Sequence, residues 1–214
     1  MLYRDVTLVL ASKGENPKYA REIRKKAGRN VIVVKDKLYG EAIKIGVRRA
    51  RTKYIITMDA DGQHRYEDAV ALYKARKISK ADLLIGHRRQ SERSFIRQLG
   101  SFFLNSLSSI FASRWVVDLN SGLRIFRRDN ALGFESILCD DFSYTTSLAM
   151  AHLADGFKVE WFPVNVYSRT EGKSKTQWFK HTLISIGYIV WIGSALRTRK
   201  IRAYLRSFRS RSQS

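Results

Sequence analysis

Three observations predict an α/β fold in which a mostly parallel sheet is flanked by helices. Short apolar runs alternate with helix-length segments, the clearest apolar run ends on two aspartates, and 44% hydrophobic residues with only two prolines can build a sizeable core. Val6 to Leu10 reads as a short buried strand, Pro17 to Lys26 as a polar helix ended by Gly28, and Val31 to Val34 as a second strand. Tyr39-Gly40 opens a helix through Ala50, with Ala42, Ile43, Ile45, Gly46 and Val47 as its apolar face beside Lys44, Arg48, Arg49 and Arg51. Tyr54 to Met58 is the clearest buried strand, and it runs into Asp59-Ala-Asp61-Gly-Gln-His64. Tyr66 to Arg76 reads as a helix and Asp82 to Gly86 as a strand, which completes a crossover pattern. Beyond Ser94 the sequence predicts a long helix to Phe111, then Leu123 to Phe126 as a strand. A helix from Tyr144 to Ala154 and a strand from Lys158 to Phe162 follow, the last stopped or confined to a sheet edge by Pro163.

Charge narrows the partners. Forty Lys and Arg against nineteen Asp and Glu give a formal net charge of +21, which favours nucleic acid, an anionic membrane face or phosphorylated substrates. The single cysteine, Cys139, excludes an intrachain disulfide framework and a multi-cysteine zinc module. The first residues lack the basic-then-apolar order of an export signal.

In open parallel sheets ligands gather at the carboxyl ends of strands, and Asp59 and Asp61 sit at such an end. On an extended stretch their side chains would point the same way and converge on one hard divalent ion, completed by water and phosphate oxygens. The alternative is an acidic turn or helix cap around Gly62.

Five stretches in order resemble the family-2 glycosyltransferases, most closely the dolichyl-phosphate mannose or glucose synthases and related polyprenyl-phosphate sugar transferases. They are Gly40-Glu-Ala-Ile-Lys-Ile-Gly46, Tyr54 to His64, Asp82 to Arg88, Val117 to Arg127, and Pro163 to Lys175. The resemblance implies a GT-A-like fold with a shortened nucleotide-binding half. It implies metal-dependent, inverting transfer of a sugar from a nucleoside diphosphate donor to a lipid-phosphate acceptor, with Mn2+ or Mg2+ as the divalent cation. Asp59, Asp61 and Gln63 become the metal ligands, with Asp59 turned toward the ribose or sugar. Gly40 would let the chain pass closely over the nucleotide, and Arg88 would face the pocket. Asp118 and the Ser121-Gly122 turn would shape the acceptor side, with Arg124 supporting that loop or a phosphate; Asp118 as a loop cap is the alternative. Asp140 or Asp141 stands where an acidic residue often serves as base, and Asp141 is the candidate for an alcohol acceptor. Arg169, Lys173 and Lys175 would bind phosphate, arginine as a planar fork and lysine as a movable charge. The amino-terminal third departs from the family pattern, so that Asp36 or Glu15 would have to recognise the base.

The residues from Thr182 to Leu196 carry no formal charge, too few for a spanning helix of about 20 residues. Tyr188 and Trp191 followed by seven basic residues in the last eighteen suggest an interfacial anchor. The expected organisation is therefore a transferase domain at residues 1–181 and an anchoring segment at 182–214. The enzyme would be cytoplasmic, peripheral on the cytoplasmic membrane face, and in contact with an anionic membrane surface and a polyprenyl-phosphate lipid. Three alternatives stand beside this. One is transfer to a soluble, protein or polysaccharide hydroxyl with Asp141 as an essential base. The others are a noncatalytic scaffold and a basic nucleic-acid-binding module, the last opposed by the acidic pair and the lack of a recognition motif. No specific nucleic acid is expected.

Overall fold

A computed structural model describes residues 4–12, 17–35, 38–88, 95–113, 115–165, 167 and 181–195. Six strands form one sheet: β1 (Val6–Ser12), β2 (Val31–Lys35), β3 (Tyr54–Asp59), β4 (Leu83–Arg88), β5 (Arg124–Arg127) and β6 (Val159–Val164). Their spatial order is β2-β1-β3-β5-β4-β6. Neighbours pair in parallel except at β5, which runs antiparallel to both β3 and β4. The mostly parallel α/β fold expected from the sequence is thus the observed one.

Helices cover both faces, which is why β3 is buried from Tyr54 to Met58 with no polar alternation. On one face α1 (Pro17–Ala27) and α3 (Tyr66–Ser79) pack Ile23, Tyr66, Leu72 and Tyr73 against Leu8, Leu10, Ile56 and Met58. On the other, α2 (Tyr39–Arg49), α4 (Phe95–Ala112) and α6 (Tyr144–Ala154) pack against Val9, Ile55, Ile85 and Phe126, joined by a helix at residues 181–195, α7. A short helix, α5 (Arg128–Gly133), follows β5 directly and has no counterpart among the elements expected from the sequence. Its six residues are too few to show a helical period.

Two local details explain the topology. Pro163 lies within β6 opposite His87, and β6 is the last strand of the sheet, the edge placement to which a residue without an N–H is suited. Lys44, expected on the solvated side of α2, is instead buried.

Candidate functional site

The carboxyl ends of the parallel strands β1, β3 and β4 lie at one rim. Because β5 is antiparallel, its entry segment, residues 118–123, reaches the same rim. Asp59 is the last residue of β3, and the chain turns at once through Ala60 and Asp61. The two carboxylates therefore approach the rim from a strand end and from a turn, not from alternate positions of one extended run. Gly62 adopts φ 81°, which relieves the turn of a side chain the left-handed region disfavours. Asp61 Oδ1 accepts the Gln63 N–H at 3.1 Å.

Asp59 sits on the α2 side, seated on Gly122: a Cβ there would lie 2.5 Å from both carboxylate oxygens. The Tyr39 hydroxyl lies beside it, and burial, reinforced by the Asp59 charge, pushes the Tyr39 phenol well above its usual range. Asp61 acts on the α1 side. Tyr19, whose hydroxyl donates to the His64 carbonyl, is pushed up first by burial and then by the Asp61 charge. The Asp59 carboxylate, in a cradle that only glycine leaves open, is a hard oxygen donor of the kind a divalent ion takes, and Asp61 lies two residues on in the same turn. Among the described residues no group of three or more His, Cys, Asp or Glu converges on one point.

The acceptor-side residues separate into distinct roles. Arg124 is sealed, 1% exposed, with Nε, Nη1 and Nη2 donating to the carbonyls of Ser121, Thr145 and Leu119. Burial pulls its pKa down to about 10, so it remains a cation near neutrality. Through these three bonds it fastens the 119–122 loop to α6, the loop-supporting role among those the sequence offered. Asp118 Oδ1 accepts the Asn120 N–H at 2.9 Å, and its carbonyl accepts Trp161 Nε1–H at 3.0 Å, an arrangement that braces the loop.

Gly40 also departs from expectation. Its open side faces protein backbone: a Cβ would lie 2.4 Å from the Cys139 carbonyl oxygen and 2.7 Å from the Asp140 carbonyl carbon. The close approach is made by the 139–141 loop, which the Glu41 N–H also binds through the Asp140 carbonyl at 2.9 Å. Next along the loop, Asp141 Oδ2 stands 4.0 Å from His181 Nδ1. An aromatic series joins this loop to Asp59. Tyr39 stacks on Phe142 at 5.5 Å, and Phe142 meets His181 edge-on at 4.7 Å. Tyr39, Phe142 and His181 escape sequence reasoning because they come together from three distant segments and match no motif.

Arg88 ends β4, its backbone paired with Val164, and its side chain lies outside the described ones. Asp36, Glu15, Arg169, Lys173 and Lys175 also lie outside the described residues. The described flanks of the basic stretch are both tied to the rim. Tyr167 donates its N–H to the Gln63 carbonyl at 3.0 Å and stacks under the Arg65 guanidinium, while the His181 carbonyl accepts Ser143 Oγ–H at 3.3 Å.

Three comparisons bear on the whole. Glycosyl transferase family 2 matches residues 3–131. An uncharacterized protein of Methanocaldococcus jannaschii is 29% identical over 175 residues, covering 74% of this chain and 71% of the relative. A low-salt glycan biosynthesis hexosyltransferase of Haloferax volcanii is 25% identical over 186 residues, 83% of this chain and 43% of that one, so the chain spans less than half of it. Among solved structures, glucosyl-3-phosphoglycerate synthase from Mycobacterium tuberculosis in complex with phosphoglyceric acid superposes with a TM-score of 0.67 at 11% identity, over 89% of this chain and 80% of that one. The same synthase with Mn2+, UDP-glucose and phosphoglyceric acid gives 0.66 at 12% identity. At such identity the likeness shows the fold, a GT-A-like one.

These findings correct the expected acceptor, partner and location. Structures of the similar synthase hold phosphoglyceric acid, a soluble compound, and against that finding the expected lipid-phosphate acceptor and the polyprenyl branch are not retained. No described helix is long and apolar enough to cross a membrane. The segment read as an anchor on a membrane face forms much of α7, whose Ile189 and Ile192 join the core and whose Gly193 leaves room for Phe111 of α4. Ile189 and Ile192 thus face the core, while Leu183, Val190 and Trp191 of the same helix are exposed. With the matched family covering more than half of the sequence and the rim carrying its acidic turn on the expected fold, the chain belongs to glycosyltransferase family 2.

Proposed function

We propose that this enzyme transfers a sugar from a nucleoside diphosphate donor to a hydroxyl of a soluble acceptor, with a divalent cation as cofactor and inversion at the anomeric carbon. The observation that carries the reading is the Asp59 carboxylate seated on Gly122 at the rim that the 139–141 loop also reaches through Tyr39 and Phe142. Asp59 and Asp61 would hold the cation, aided by Gln63; when bound, it supplies charge neutralisation at the donor's diphosphate. Asp141 takes the proton of the acceptor hydroxyl as its oxygen bonds to the anomeric carbon and the bond to the diphosphate breaks. Arg169, Lys173 and Lys175 bind phosphate oxygens, on a stretch whose flanks are tied to Gln63 on one side and to Ser143 on the other. The phosphoglyceric acid bound by the structurally similar synthase makes a small phosphorylated alcohol the first acceptor to try.

Calorimetric titration of the full chain with UDP-glucose and other nucleoside diphosphate sugars, with and without Mn2+, tests the donor half. Binding that requires the cation and disappears in Asp61→Ala supports it; binding indifferent to both rejects it. Transfer to 3-phosphoglycerate and other soluble alcohols tests the acceptor half, where Asp141→Asn should lower kcat by about 100-fold or more.

A further inference from the structure

Asp140 and Asp141 are adjacent carboxylates, and the resemblance that makes Asp141 the candidate base gives no physical reason for preferring it to its neighbour. Lys44 does. Its side chain is only 9% exposed, an expensive place for an ammonium group unless it is paired and hydrogen-bonded. Both conditions hold. Nζ donates to the Leu138 carbonyl at 2.8 Å and to the Asp140 carboxylate. The same short stretch is fixed to α2 twice more, by the Glu41 N–H on the Asp140 carbonyl and by the close passage over Gly40. Beyond this three-point attachment the chain delivers Asp141, whose N–H donates to Cys139 Sγ at 3.4 Å and whose carbonyl accepts the Tyr144 N–H at the start of α6.

We propose that Lys44 is a positioning residue for sugar transfer: it captures the Asp140 carboxylate and anchors residues 138–140, so that Asp141 is the carboxylate left to take the acceptor's proton. The inference rests on the reading of Asp141 as base and adds what selects it. Without Lys44 the Asp140 carboxylate would compete for the same acceptor hydroxyl, and the loop would lose a tie made from within the helix layer. A misplacement of about 1 Å at a reacting group can cost on the order of 100-fold in rate.

The experiment uses the full chain with the donor found by calorimetry and compares Lys44→Met, Lys44→Met/Asp140→Asn and Asp141→Asn. For Lys44→Met the expected result is a fall in kcat of about tenfold or more, with the donor dissociation constant held within about twofold. Amide hydrogen exchange should accelerate at Asp141 and Tyr144 while β1 and β3 stay protected. Removing the Asp140 charge as well should restore part of the lost rate. If Lys44→Met does not accumulate, Lys44→Gln, which keeps a donor but no charge, carries the comparison. The proposal is overturned by an unchanged kcat, by exchange that accelerates throughout the chain, or by a double variant no faster than the single one. A fully active Asp141→Asn instead removes the base reading itself. An inactive Asp141→Asn beside a fully active Lys44→Met removes only the role given to Lys44.

Discussion

Replacing Gly40 with alanine distinguishes a glycine that lies against substrate from one that lies against the protein's own backbone. The added Cβ would stand 2.4 Å from the Cys139 carbonyl oxygen and within 2.9 Å of two Asp140 backbone atoms. An ordinary carbon–oxygen contact is about 3.3 Å or more, so the loop must retreat by roughly 1 Å. No rotamer change can relieve it, because the obstructing atoms are main chain. Overpacking of this kind typically costs about 1–3 kcal/mol. For a chain of this size, each kcal/mol lowers Tm by about 2–4 °C, so a drop of several degrees is expected. Gly187→Ala provides a control of opposite sign: it lies within α7, an added Cβ would meet nothing within 4 Å, and the change should stabilise by up to about 1 kcal/mol. Scanning calorimetry reads both variants, and titration with donor and Mn2+ shows whether binding survives. A Gly40→Ala protein with unchanged Tm and weakened donor binding would refute the packing argument and return Gly40 to the nucleotide.

Two further outcomes follow from the same geometry. Gly122→Ala places a methyl 2.5 Å from both Asp59 carboxylate oxygens, and a carboxylate can swing aside more readily than backbone. Mn2+-dependent donor binding should therefore weaken by about tenfold or more while Tm moves little; calorimetry and thermal melts together check the split. His152 is buried between Phe134 and Phe157, its Nδ1 within 2.9 Å of the Leu148 carbonyl, and burial lowers its pKa to about 4. As pH falls below about 6.5 the unfolded chain takes up a proton that the folded chain refuses until about pH 4. Stability is full above that window and falls through it, by on the order of 3 kcal/mol. His152→Leu should flatten this acid limb, seen as a smaller Tm difference between pH 7 and pH 4.5 than in the parent; an equal difference would assign the acid sensitivity elsewhere.

The sheet was legible because its strands are buried on both sides and therefore read as unbroken apolar runs, as at Tyr54 to Met58. Helix α6 was found between the bounds it occupies, although it is buried on every side and its pattern has no face. The acidic turn was legible as a motif, but its geometry was not. Alternation can be projected only while a strand continues, and β3 stops at Asp59. Lys44 was misread because a lysine among arginines on a helix looks solvated, and the carbonyl and carboxylate that satisfy it lie more than ninety positions away. Arg124 had the correct neighbourhood but two offered roles, and only burial decides between a phosphate and three carbonyls.

The reversed direction of β5 has a consequence for how this scaffold can diversify. Residues between β4 and β5 leave the sheet at one rim and re-enter it at that same rim, since β4 exits where β5 begins. The intervening excursion, including α4, is a cassette whose length can change without shifting the register of either strand. Exchanging it between homologous enzymes should retune which alcohol is admitted while the acidic turn after β3 stays in place.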